Sequence, residues 1–140
     1  WSKQEALEVL FLREALEGLA GTLAVDRITD VEIDRLEALM VAHQSGSLDY
    51  VEADKRFHEG IVNACGMKRL RELIWNLYDS IQTKKILSLS FNNEERIRES
   101  MAEHRKIVEA LRERNQDAVE KAIRDNFQKT QAMVQQMIEE

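Results

Sequence analysis

A chain of 140 residues, 44% of them hydrophobic, can bury one sizeable core and no more, so a single domain spanning residues 1–140 is expected. Its formal charge of −6 spreads no basic field over the surface, which argues against direct nucleic-acid binding by this segment. Prolines are absent, glycines number five, and Ala, Glu, Leu, Arg, Lys, Gln and Met dominate, which is the composition of long packed helices; the single cysteine excludes an intrachain disulfide.

Ser2 with Glu5 reads as a capping box and opens a first helix to about Val25, with Ala6, Val9, Leu16, Ala20 and Leu23 inward and Arg13 interrupting the stripe. Thr29 with Glu32 repeats the signature. The second helix carries Ile33, Leu36 and Met40 inward and ends at Gly46, with His43 placed to complement its C-terminal dipole. Asp49 caps a third helix that stops at Gly66. Leu70, Ile74, Leu77, Ile81 and Leu87 then predict one long fourth helix reaching about Phe91, with Asn92 and Asn93 as the break. The fifth helix turns Ile97, Met101, His104, Val108 and Leu111 inward and ends near Asn115. Asp117 with Glu120 opens a sixth, whose stripe is Val119, Ile123, Asn126, Thr130, Met133 and Met137. Short connections favour antiparallel neighbours, so the expected fold is all-α, a compact antiparallel bundle of six helices. No 18-residue apolar run and no signal peptide occurs, which together with the lone cysteine fits a reducing cytoplasm and no membrane. Because the chain starts at Trp1 and not at an initiator methionine, an upstream segment is expected.

The third helix carries the chemistry. Its inward stripe reads Val51, Asp54, His58, Ile61, Cys65, so a carboxylate and an imidazole one turn apart point where the core should lie. An uncompensated buried polar group costs about 1 to 3 kcal/mol and a carboxylate more, so both need a partner. A charge-assisted hydrogen bond between the two would answer this; so would a shared divalent cation. His104 on the fifth helix reads either as a hydrogen-bonded core histidine or as a third ligand. Asn126 on the sixth could offer a weak carbonyl oxygen or orient a bound water. Imidazole nitrogens with a carboxylate suit zinc, nickel, manganese or ferrous iron at about 2.0–2.2 Å. Arg13 reads either as an interhelix ion pair or as a forked donor for the carboxylate of a small organic acid. Cys65 is expected to be a small buried apolar group.

The order Arg13-x-x-Leu16-Glu17, then Asp54-x-x-Phe57-His58, then Glu103-His104 followed by Ile107, Ala110 and Leu111, then Asp117-Ala118, Ala122 and Asn126-Phe127 resembles the effector-binding (FCD) domain of GntR-type transcription regulators of the FadR subfamily. The Ala64-Cys65-Gly66 turn and the spacing from His58 through His104 to Asn126 are similar to that family's pattern, and the resemblance spans nearly the whole chain. It implies a six- or seven-helix antiparallel bundle, a central metal held by an aspartate and three histidines, a small carboxylate effector at that metal, and a winged-helix DNA-binding domain upstream of Trp1. Asn126 stands where the family's last histidine would, a departure that bears directly on metal affinity and identity.

The expected function is therefore effector sensing by a homodimeric transcription factor: a divalent transition metal at Asp54, His58, His104 and, weakly or through water, Asn126, with Arg13 binding the effector. DNA would be contacted only through the upstream domain. Leu12, Trp75 and Leu89 are candidates for the dimer face. No catalytic residue is assigned. A metal-dependent hydrolase is the first alternative, but Met40, Lys55 and Met101 occupy the positions where di-iron bundles place glutamate, three residues before a histidine. Glu103 points roughly 100° away from His104, a poor station for a general base. A metal-free helical interaction module, with the inward polar groups as a structural network, is the second.

Overall fold

The computed structural model describes residues 2–137, and within them the chain is helical throughout its regular elements. The helices are α1 (Lys3–Ala24), α2 (Asp30–Gln44), α3 (Tyr50–Asn63), α4 (Lys68–Tyr78), α5 (Ile81–Phe91), α6 (Glu94–Arg112) and α7 (Gln116–Gln135). The all-α expectation holds. None of these helices is long and apolar enough to cross a membrane.

Local caps explain most boundaries. Ser2 accepts from the Glu5 amide at 3.2 Å, and Thr29 and Glu32 form a complete capping box, each side chain taking the other's backbone N–H. Asp49 and Asn93 do the same work for α3 and α6 through Glu52 N at 2.9 Å and Arg96 N at 3.0 Å. At α7 the capping residue is Asn115, which takes the Ala118 amide at 3.0 Å; Asp117 lies inside the first turn and does not cap. Gly66 ends the α3 turn at a φ of 76°, a left-handed conformation that costs glycine nothing.

The predicted long fourth helix is two helices, and this raises the count to seven. Ser80 is the reason: its hydroxyl accepts from the Thr83 amide at 3.2 Å and donates to the Leu77 carbonyl at 2.6 Å, while the Thr83 hydroxyl donates to the same carbonyl at 2.7 Å. Two hydroxyls thus satisfy the end of α4 and start α5 in a new direction. Ile81, expected inward, is 80% exposed as a result, and the buried face of α5 is Thr83, Ile86 and Ser90.

The first helix also sits in a different rotation from the one its leucines suggest. Its buried residues are Ala6, Leu10, Arg13, Glu14, Glu17, Gly18, Ala20, Gly21 and Ala24, with Val9, Leu16 and Leu23 only half-buried. The small residues explain the register. α1 runs along α7 over its greatest length, and a Cβ at Gly21 would overlap the Ile123 Cδ1 methyl and crowd Val119 Cγ1, so glycine lets the helices meet there without displacing those side chains. The main core joins Leu10, Ile33, Leu36, Phe57, Ile107, Leu111, Val119 and Phe127 across the helices. Ala20, Val62, Cys65, Leu70 and Ile74 form a second cluster under α4, with Cys65 buried as expected. α1, α3, α6 and α7 therefore surround the place where the sequence turns its polar residues inward.

Candidate metal centre

α3 presents Asp54 and His58 from successive turns of its buried face, and α6 brings His104 to meet them. Asp54 Oδ1 lies 3.4 Å from His58 Nε2 and 3.5 Å from His104 Nε2, and the three donor atoms fall within 4.8 Å of one another. All three residues are buried. The rings are held from outside: Phe57 stacks on His104 with centroids 4.0 Å apart and planes within 5°, and Phe127 meets His58 edge-on.

Glu17 of α1 orients the set. Its Oε1 is 2.5 Å from His58 Nδ1, so that nitrogen carries the proton and donates, and Nε2 is turned toward Asp54. The same carboxylate takes the Arg13 Nε–H at 2.9 Å through its other oxygen. Arg13 in turn lies over the Tyr78 and Phe127 rings at 4.7 and 5.0 Å, and Tyr78 donates to Asp54 Oδ2 at 3.4 Å. Its two terminal nitrogens donate to none of the described residues. Glu17 lay in plain view of sequence reasoning, four residues after Arg13 on the face that holds it. The leucine-based assignment of the α1 stripe hid it.

Charge follows from this packing. Burial raises the Asp54 carboxyl, but His58 and then His104 hold it far below the usual carboxylate range. Burial lowers His58, yet Glu17 and Asp54 carry it up to about 10, so without a metal it is an imidazolium. Burial lowers His104 below its ordinary value, and the His58 charge opposes protonation further, so His104 is neutral. Arg13 and His58 as cations face Glu17 and Asp54 as anions, and the cluster balances.

One atom stands outside that balance. His104 Nε2 is buried, and its 3.5 Å approach to Asp54 Oδ1 does not make a well-formed hydrogen bond, so the atom is left poorly satisfied, a position that ordinarily costs free energy. It is aimed at the same space as Asp54 Oδ1 and His58 Nε2, and two imidazoles with a carboxylate are the donor set of first-row divalent cations. The residues present fit such a metal. Asp54, His58 and His104 would hold it.

Asn126 turns its amide away from this set: Nδ2 donates to Glu103 Oε1 at 2.6 Å, and Glu103 is itself gripped by both terminal nitrogens of Arg96 at 3.0 and 2.8 Å. Asn126 still lines the small cavity beside the donor atoms, together with Arg13, Asp54, His58, Ser90 and Ser100. That cavity measures about 30 Å³, room for one or two waters. A surface concavity of about 640 Å³ between α6 and α7 does not include the donor residues and has a mixed-charge lining. His43 stays at the end of α2, where its Nδ1 lies 3.3 Å from the Leu48 carbonyl, away from the centre.

Comparison with known proteins agrees with this architecture. In E. coli, McbR/YncC has a solved structure that superposes with a TM-score of 0.81 at 20% identity, covering 96% of this chain and 66% of that one, a likeness of fold. The uncharacterized HTH-type transcriptional regulator YdhC of Bacillus subtilis (strain 168) is 26% identical over 126 residues, 86% of this chain and 55% of that protein. The chain thus spans about half the length of that curated relative. The FCD domain family matches residues 8–129. That match covers most of the sequence and places the protein among regulatory, non-enzymatic domains: the chain belongs to the FCD domain family.

Proposed function

We propose that this domain is the sensor of a cytoplasmic, homodimeric HTH-type transcription regulator of the GntR class, binding a small organic acid at a divalent transition metal. The observation that carries the reading is the convergence of Asp54 Oδ1, His58 Nε2 and the poorly satisfied His104 Nε2 on one buried point. A cation there would leave coordination positions open toward the cavity, and it would act as a Lewis acid for an incoming carboxylate oxygen. Zinc, nickel, manganese and ferrous iron all suit this donor set.

The chain's own residues supply the rest. Glu17 fixes the His58 ring and its tautomer. Arg13 stands on the cavity wall with its terminal nitrogens free to take a second oxygen of the ligand. Asn126, anchored through its amide by Glu103, would present its carbonyl oxygen to a bound water or to the ligand. The role of DNA binding belongs in this proposal to a separate upstream domain, in keeping with the HTH element named in YdhC and the half of that protein this chain leaves uncovered. Ligand binding must favour one arrangement of the two protomers over another for the signal to pass.

Titration calorimetry with a panel of organic acids, on metal-loaded and chelated protein, tests the reading. Metal-dependent binding of at least one acid is the expected result; no binding to either form overturns it. A second reading keeps the cluster metal-free, since Arg13, Glu17, His58 and Asp54 already form a continuous charged network. Unchanged thermal stability on adding zinc, nickel or manganese would favour that second reading.

A further inference from the structure

We propose that the seam between α3 and α5 is the entry route and tail subsite of the effector, so that the ligand is a carboxylate carrying an apolar tail. The inference rests on the sensor reading above and adds the chemical class of its ligand.

The inner cavity alone cannot hold a whole organic acid, since about 30 Å³ admits only one or two waters. It is closed on its α5 side by Ile86, Leu87 and Ser90. On the other face of that wall lies a groove of about 430 Å³, lined by Asp49, Val51, Lys84, Leu87, Ser88 and Phe91. Leu87 belongs to both linings and is half-buried, so it stands between the two spaces and is the side chain whose displacement would connect them. Val51, Leu87 and Phe91 make the groove floor apolar, and Phe91 is 48% exposed there.

Charge is arranged along the same line. Lys84 stands at the groove with its ammonium in no ion pair among the described residues, and the Asp49 carboxylate, which also lines the groove, is directed by its Oδ1 to the Glu52 amide at the start of α3. Further in come Arg13 and the donor cluster. An anionic head would be drawn past Lys84 and inward to Arg13, and its hydrocarbon tail would stay against Val51, Leu87 and Phe91. A small hydrophilic acid would leave this apolar floor uncovered. A tailed one covers it.

The test is calorimetry on metal-loaded protein with linear monocarboxylates from acetate to octanoate. Affinity should rise about fourfold per methylene until the groove is filled. Phe91→Ser, in the groove and remote from the donor cluster, should weaken octanoate at least tenfold and shift acetate by less than twofold. Leu87→Trp should abolish the gain from chain length, with circular dichroism checking that the variant is folded. Equal affinities for acetate and octanoate in the parent protein, or equal losses for both acids in Phe91→Ser, overturn the tail subsite while leaving the metal-bound carboxylate intact. Binding of neither acid likewise overturns the tail subsite, while the sensor reading is overturned only if every acid of the wider panel also fails to bind the metal-loaded protein.

Discussion

Metal affinity should climb with pH, because a proton and a cation compete for His58. Burial alone would lower this imidazole, but Glu17 at 2.5 Å and Asp54 at 3.4 Å carry it up to about 10. At pH 7 a cation must therefore displace a proton held some three pH units too tightly, a cost of about 4 kcal/mol at 1.36 kcal/mol per unit. Asp54 is ionised and His104 neutral over the same range, so neither adds a proton to the count. The expected result with manganese or nickel is a tenfold gain in apparent affinity per pH unit between about pH 6.5 and 8.5. One proton should leave per cation bound, measured by calorimetry in two buffers of different ionisation enthalpy. Glu17→Gln supplies the control: its carbonyl oxygen still accepts the Nδ1–H of neutral His58 but brings no charge, so the slope should flatten at the upper end of that range. A slope near zero in the parent protein, with no proton released, would refute the reasoning.

Glu17→Ala removes the carboxylate shared by Arg13 and His58 and leaves buried charge uncompensated, so urea denaturation should show a loss of about 3–5 kcal/mol. His104→Ala deletes one of three converging donors, and metal affinity should fall more than about 100-fold with the fold retained by circular dichroism. Asn126→His places a further imidazole beside the cavity and should tighten metal binding by about tenfold or more; unchanged affinity would show that position 126 faces Glu103 and not the donor set.

The bundle was legible in the sequence because its signals are local. Thr29 with Glu32 and Asp49 mark helix starts through side chains that reach backbone amides three residues on, and the structure shows those bonds. The α4 to α5 corner escaped because its signal is a single serine inside an unbroken apolar rhythm; Ser80 acts only once its hydroxyl can also cap the Leu77 carbonyl. In α1 the leucines misled for a different reason. Rotation there is set by how closely α7 can approach, which depends on Gly21 against Ile123 and Val119 and not on which side chains are most apolar. That rotation buries Glu14 and Glu17, two carboxylates that a hydropathy pattern assigns to solvent, and it makes Glu17 the partner of both Arg13 and His58. Asp54, His58 and His104 stood out because each violates its own helix's pattern. Glu17 violated only a pattern that had been drawn in the wrong register.

Charge also decides what kind of ligand such a centre selects. Arg13 and His58 as cations balance Glu17 and Asp54 as anions, and all four are buried. Exchanging the His58 proton for a divalent cation leaves that cluster one positive charge in excess, in a setting where uncompensated charge costs several kcal/mol. A monocarboxylate restores the balance and a neutral ligand of the same shape does not. Acetate and acetamide differ little in size, so the difference in their affinities for the metal-loaded protein reads the charge effect almost alone. Acetate should bind at least about 100-fold more tightly, the equivalent of roughly 3 kcal/mol. Equal binding would mean that solvent entering the cavity screens the excess charge, and selection would then have to come from shape.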